Sequence, residues 1–392
     1  MTAAVPAFPA IGVTAELRLV EVEDARTLRR FIDLPKHLYR GYPAFVAPLA
    51  LERRQALDPK KNPYFRHARA RFWLACRGDR AVGRISAQID ELSLSRHGAT
   101  LGHFGLLDAE DDAAVFALLT EAAEHWLKSQ GMDHVRGPFN LSINEECGLL
   151  VDGFESRSMM MMGFAPPYAA RRLEERGYRK AKDLIAYDYD LGSTGPIDPR
   201  GMLKRVTADG RVKIRPLDMK RYREDLSMIL EIFNDAWSEN WGFLPFTEAE
   251  IVHAADSMKP LIRPDLVWIA EVDGAPAAMI VALPNLNEAI ADLGGSLFPF
   301  GWAKLLWRLK VRGLTSARVP LFGVRKRYHR SALGAALVLL LLQALRESGE
   351  KGGFRCAELS WILEDNTAIR QVIEGIGGRP YKTYRIYEKA LA

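Results

Sequence analysis

PLFGVRKRYHRSALGAALVLLLLQAL, residues 320–345, sets an extended apolar stretch, a basic turn and a long apolar helix in direct succession. The strand pattern ends at Val324. The turn carries Arg325, Lys326, Arg327, His329 and Arg330, and the small residues Ser331, Ala332, Gly334 and Ala335 open the helix. A helix start presents unpaired N–H groups and the positive end of the peptide dipole to an anion. Small side chains let a phosphate reach that backbone, and the cations add charge. A pyrophosphate suits this layout; a solvated basic loop ahead of a core helix is the competing reading.

Outward from this segment the chain reads as one α/β unit used twice. In the first half, alternating LRLVEV from Leu17 predicts a strand, and FWLACRGDRAVGRIS predicts a hairpin about Gly78-Asp79. GHFGLL is a further strand, 113–130 a helix ended by Gly131, and HVRGPF another strand. The second half repeats the order. VKIRPLD opens it, 226–237 is helical, and LVWIAEVDGAPAAMIVAL is a hairpin about Asp273-Gly274. RVPLFGV, the helix 333–347, RCAELSWIL, the helix 367–374 and RIYEKAL follow. The expected fold is α/β with mixed sheets: a loose segment 1–16, a first unit 17–190, a Gly/Pro/Ser-rich linker 191–199 and a second unit 200–392.

Composition narrows the function. The 392 residues are long enough for two domains. The net charge is +5, but 54 basic residues are interspersed with 49 acidic ones, so there is no concentrated basic face for nucleic acid. Cys76, Cys147 and Cys356 form no CxxC pair and no metal-ligand spacing. A metal site is therefore not expected, and a reducing, cytoplasmic compartment is. The longest apolar run, 332–342, is too short for a membrane span of about 20 residues and reads as a buried helix.

The basic turn resembles the pyrophosphate turn of the GNAT superfamily of N-acyltransferases, with His329-Arg330-Ser331-Ala332-Leu333-Gly334 as its match. His329 stands in the first position and Ala332 replaces the first glycine. The resemblance implies that acyl-CoA, a co-substrate and not a tightly bound cofactor, contacts Phe322, Val324, Arg325, Arg327, His329, Arg330, Ser331, Gly334 and Ala335, with backbone N–H groups near 322–324 polarising the thioester. Asn366, in ELSWILEDN, falls where the superfamily contacts the pantetheine arm. The superfamily's acidic Tyr, seven residues later, is here Ile373. In the first half the equivalent turn, FGLLDAEDDAAVFALL, carries Asp108, Glu110, Asp111 and Asp112, whose charge repels a pyrophosphate. Acyl-CoA is therefore expected in the second half alone.

Over nearly its full length the chain is similar to tandem GNAT-like proteins that include bacterial ceramide synthases. The resemblance rests on GPFNLSINEECGLLVDGF (137–154), APPY (165–168), AWSENWGFLP (236–245), ELSWILEDN (358–366) and YKTYRIYEKAL (381–391). It implies N-acylation of a long-chain, sphingoid-type amine. Acetylation of a small amine or a protein, and a non-catalytic acyl-CoA or lipid-binding module, are the alternatives.

Carboxylates that can take a proton from the amine are Glu358 and Glu364, and a tyrosine of the cluster Tyr381, Tyr384, Tyr387, of which Tyr384 is central, can protonate the thiolate. Asn140, Asn144, Glu145, Glu146, Asn240 and Trp241 form the expected amine-binding set, and Met159 to Met162 can line a channel. In FPFGWAKLLWRLKVRG, Trp302, Leu305, Leu306 and Leu309 share a helix face apart from Lys304 and Arg308. That pattern predicts an interfacial helix over 301–312 and peripheral contact with the inner membrane.

Overall fold

A computed structural model describes residues 16–192, 197 and 201–391. The segment 1–15, most of the expected linker (193–196 and 198–199) and residue 200 lie outside the described residues. The strands are β1 (Leu17–Glu21), β2 (Ala68–Arg77), β3 (Arg80–Asp90), β4 (Leu101–Ala109), β5 (His134–Gly137), β6 (Phe139–Asn140), β7 (Glu146–Cys147), β8 (Leu149–Asp152) and β9 (Arg179–Asp190) in the first half. Those of the second half are β10 (Val212–Pro216), β11 (Val267–Val272), β12 (Ala275–Pro284), β13 (Ser316–Val324), β14 (Cys356–Leu363) and β15 (Arg379–Ala390). Both expected hairpins form. At Asp273-Gly274 the two φ angles are +52° and +79°, the backbone that Asp-Gly adopts in a tight turn matched to strand twist.

All strands but β6 and β7 join one mixed sheet, in the order β1-β2-β3-β4-β5-β15-β9-β14-β13-β12-β11-β10, with β8 alongside β15. The two halves exchange their last strands. β15 of the second half pairs with β5, Tyr387 opposite Gly137. β9 of the first half pairs with β14, Leu359 opposite Tyr187. β9 and β15 also pair with each other. Tyr384, Ile386 and Tyr387 of β15 are fully buried in the core built on the first half. Each fully buried apolar side chain of this size contributes about 1.5–3 kcal/mol.

Helices cover both faces. Ala113–Ser129 packs behind β2 and β3, and Ala332–Lys351 behind β11 and β12. The latter is long and apolar enough to cross a membrane, yet Ala336, Leu337 and Leu341 are buried in the second half's core. Tyr222–Trp237 packs on the other face, against β12 and β13.

The feature that makes a site is a splay. β13 and β14 pair in parallel only from Ser316–Val319 to Cys356–Leu359. Beyond that β14 follows β9, Leu363 meeting Leu184, while β13 stays with β12. A wedge opens between residues 320–324 and 360–363.

Candidate active site

The wedge is a cleft of about 480 Å³. Its floor follows from strand parity, since successive residues turn their N–H and C=O to opposite edges. The Arg325 N–H donates to Ala277 of β12 at 2.8 Å. Phe322 and Val324, of the other parity, accept instead from side chains: the Phe322 carbonyl from Trp237 Nε1 at 3.0 Å, the Val324 carbonyl from His329 Nε2 at 2.7 Å. Their N–H groups therefore point into the cleft, unpaired with β12. Pro320 has no N–H to leave unpaired on that edge.

Above this floor the turn closes tightly. Ser331 caps the helix Ala332–Lys351, its Oγ accepting from the Gly334 N–H at 3.0 Å and donating to the Tyr328 carbonyl at 2.6 Å. A Cβ on Gly334 would fall 2.1 Å from that carbonyl oxygen, so no larger residue keeps this turn. Phe322, Val324, His329, Arg330, Ser331, Gly334, Ala335 and Asn366 all line the cleft. Asn366 caps the helix Thr367–Gly375. Two expected residues do not line it. Arg325 is drawn into an ion pair with Glu231 at 2.9 Å, and Arg327 stacks over Tyr328 at 4.7 Å. Lys326 is likewise held by Glu239 at 2.7 Å, which leaves Arg330 as the cation of the turn that faces the cleft without an ion pair.

The first half's corresponding wedge is bridged by a side chain. β4 and β5 also pair only briefly, but here the Asn140 side-chain oxygen accepts from the Leu106 N–H at 2.8 Å. The acids of its turn are matched by arginines: Asp108 with Arg84, Glu110 with Arg80, Asp111 with Arg172 and Asp112 with Arg77.

A second cavity, about 150 Å³, meets the cleft at Trp237, Pro320 and Trp361. The two indoles stack edge to face at 5.8 Å at this junction. The tunnel runs between the helices Tyr222–Trp237 and Glu248–Met258, past Ile229, Phe233, Ile251, Ala254 and Met258. At one end it is polar, with Asn144, Glu145 and Arg318. The Glu145 carboxylate makes no hydrogen bond or ion pair, and burial pushes its pKa up to about 8, with Arg53 opposing and Glu52 and Glu146 adding to the rise.

None of the three expected catalytic groups lines either cavity. Glu358 is fully buried, accepting hydrogen bonds from Ser360 and Tyr381 with Arg318 at 3.6 Å. Glu364 points outward, bonded to Lys180 at 2.6 Å and to the Asp183 N–H. Tyr384 is fully buried, its hydroxyl beside Ser158 without a hydrogen bond, and burial drives its pKa far up. Tyr381, on Glu358, is raised by burial and by that carboxylate. Ile373, at the superfamily's Tyr position, sits in the second half's core.

The amine-binding set divides. Asn144 and Glu145 line the tunnel, Asn144 also donating to the Leu244 carbonyl, and Asn240 lines the cleft. Asn140 and Glu146 bond each other at 3.0 Å, Glu146 is paired with Arg53, and Trp241 stacks under Arg136. Met161 reaches the tunnel, whereas Met160 and Met162 are core. Trp237 and Trp361, not singled out from sequence, line both cavities, and Arg318, also not singled out, lines the second. Among the described residues no cluster of metal-ligating side chains occurs.

No family model matches the chain. It is 50% identical over 98% of its length to the bacterial ceramide synthase of Caulobacter vibrioides, all of whose length is covered. It is 47% identical to Protein YghO of Escherichia coli, over 93% of each chain. In fold it is similar to a tandem GNAT protein from the clavulanic acid biosynthesis pathway, with a TM-score of 0.57, 14% identity and 96% and 99% of the two chains covered. A GCN5-related N-acetyltransferase from Sphaerobacter thermophilus matches with a TM-score of 0.52, 13% identity and 96% of each chain. Near-complete alignment at 50% identity with the bacterial ceramide synthase, on a fold of two GNAT-like units in one continuous sheet, places the chain in the tandem GNAT-like acyltransferase family that includes that relative.

Proposed function

We propose that the protein transfers a fatty acyl group from acyl-CoA to the amine of a long-chain, sphingoid-type base. The observation that carries this reading is the apolar tunnel joined to the cleft, with an unpaired carboxylate at its polar end. A small amine needs no such tunnel, and a hydrocarbon tail gains about 0.8 kcal/mol for each methylene buried there. The name of the Caulobacter relative agrees with it.

In this mechanism the pyrophosphate of CoA lies on the turn, with Arg330, the helix N–H groups and Asn366 along its path. The N–H groups of Phe322 and Val324 polarise the thioester carbonyl. The amine enters from the tunnel, its ammonium on Glu145 and its tail between the two helices. Glu145 takes the ammonium proton. The neutral amine attacks the carbonyl carbon, the C–N bond forms, the C–S bond breaks, and the leaving CoA thiolate takes up the further proton that the nitrogen loses in becoming the amide. A carboxylate whose pKa is pushed up to about 8 is a stronger base than an ordinary one, and it takes the ammonium proton once pH approaches that value. The buried trio Arg318, Glu358 and Tyr381 holds the junction in shape. The exposed segment 301–312 serves as a peripheral contact with a membrane, where both substrates reside.

The test is incubation of pure protein with acyl-CoAs of graded length and a sphingoid-type amine, read by mass spectrometry. N-Acyl product from long-chain amines is expected. Turnover confined to acetyl-CoA with short amines sinks the reading, and binding without turnover at any length makes the protein a lipid-binding module.

A further inference from the structure

A third cavity, of about 340 Å³, lies away from the cleft, between the helices Ala25–Leu38 and Ala50–Ala56 and the loop at 295–298. Three cations line it, Arg29, Lys36 and Arg54, with Asp33 as the one acid. None of the three cations makes an ion pair or a side-chain hydrogen bond. Their sequence neighbours are bonded: Arg30 to the Asp79 carbonyl at 2.7 Å, and Arg53 to Glu52 and Glu146. Like charges gathered without partners repel one another, and an anion removes that cost. The cavity is built across the two halves. The Ala50 N–H donates to the Gly295 carbonyl at 2.9 Å, and a Cβ on Gly295 (φ +76°) would meet the Pro48 carbonyl oxygen at 2.7 Å.

Its rim is apolar. Phe298, which lines the pocket, and Phe300 are each 79% exposed. Trp302, Leu306, Trp307 and Val311 continue the exposed edge. Leu305 and Leu309 pack inward on the second half's core and hold that edge outward. Lys304 and Arg308 are taken by Asp292, but Lys310 and Arg312 are exposed and unpaired. An apolar edge alone fits many partners, and a basic pocket alone fits any anion. Their meeting at Phe298 fits a bilayer surface, with aromatic rings at headgroup depth and a phosphate beside them.

We infer that the pocket of Arg29, Lys36 and Arg54 binds the phosphate headgroup of an anionic lipid while Phe298 and Phe300 enter the leaflet. This rests on the membrane contact proposed above, and adds to it a headgroup site and a lipid charge class.

The test is co-flotation of the full chain with phosphatidylcholine vesicles, with and without phosphatidylglycerol, at low and high salt. The unmodified protein is expected to prefer the anionic vesicles. The triple variant Arg29→Ala, Lys36→Ala, Arg54→Ala is expected to lose roughly 100-fold in binding to them, at about fivefold per cation. It keeps weak binding to phosphatidylcholine and keeps turnover of short, water-soluble substrates, since these side chains lie outside the cleft. Phe298→Ser with Phe300→Ser is expected to weaken binding to both vesicles. A triple variant with undiminished preference for anionic vesicles overturns the pocket and leaves the membrane contact standing. No vesicle binding by the unmodified protein overturns both. Binding of glycerol phosphate without vesicles makes the pocket a soluble-anion site, and self-association through the two phenylalanines without vesicle binding makes the edge a contact between copies; either result overturns the inference.

Discussion

Glu145 sets two requirements against each other. Its carboxyl is held near pKa 8 by burial, above the ordinary 4.5. Its neutral form favours the fold, so stability is full below about pH 4.5 and is lost as pH rises through about 8. The mechanism proposed above needs the ionised form, so activity is expected to rise over the upper part of that window. Glu145→Gln, a neutral copy, is expected to lower kcat by about 10²–10⁴-fold. Its melting temperature should meanwhile gain on the unmodified protein from about pH 5 to pH 9; a loss of both quantities at every pH would mark Glu145 as a packing residue only. Cations of the turn divide in the same concrete way. Arg330→Ala should raise the KM for acyl-CoA by roughly tenfold or more, the value of a hydrogen bond to a charged group. Arg325→Ala, which releases Glu231, should leave KM within about twofold. Sequence made the turn legible because its meaning lies in local order: strand, cations, small residues, helix. Which arginine faces the cleft was not legible, because Glu231 and Glu239 are distant in sequence from their partners. Nor was the burial of Glu358, because its screen, Arg318 and Tyr381, comes from β13 and β15.

At the scale of elements, the tunnel was hidden because its apolar lining reads as core on any helix. Helix Glu248–Met258 had no place in the sequence reading, though Thr247 and Glu250 form a capping box. Ala254→Phe on this helix should fill the tunnel. Turnover of a long-chain amine is expected to fall at least about tenfold, the worth of two methylenes left unburied, with short amines little changed; an equal loss on both would place Ala254 in the scaffold. The same helix is tied to the first half through His67, which bridges Asp90 and Glu250 at 3.1 and 3.2 Å. Hydrogen bonds to the two carboxylates push its pKa up to about 10 from 6.5. That stabilisation is whole below about pH 6.5 and fades as pH rises through 10. His67→Ala should therefore speed hydrogen exchange in 248–258 near neutral pH, with the gap to the unmodified protein closing toward pH 10. Strand types and order were largely legible. The exchange of β9 and β15 was not, since both are twelve-residue strands that follow a short helix and suit either place.

For the whole molecule, the exchange ties the two repeated units into one sheet. Tyr384, Ile386 and Tyr387 bury, at about 1.5–3 kcal/mol each, an amount approaching the net stability of a typical domain, about 5–15 kcal/mol. Calorimetry should show one unfolding transition, and 17–190 expressed alone should lack a stable tertiary fold; two separate transitions would show that each unit stands by itself. The order in which a ribosome releases these strands adds a further demand. β5 and β9 emerge early, yet the strand that fits between them follows about 190 residues later. At usual synthesis rates the nascent chain waits about 10–40 s with that slot vacant and two hydrogen-bonding edges bare. During that interval any extended peptide of suitable pattern competes for the slot, so yield in the cell should depend on a holding chaperone and on translation speed across 191–378 more than on the stability of the finished protein.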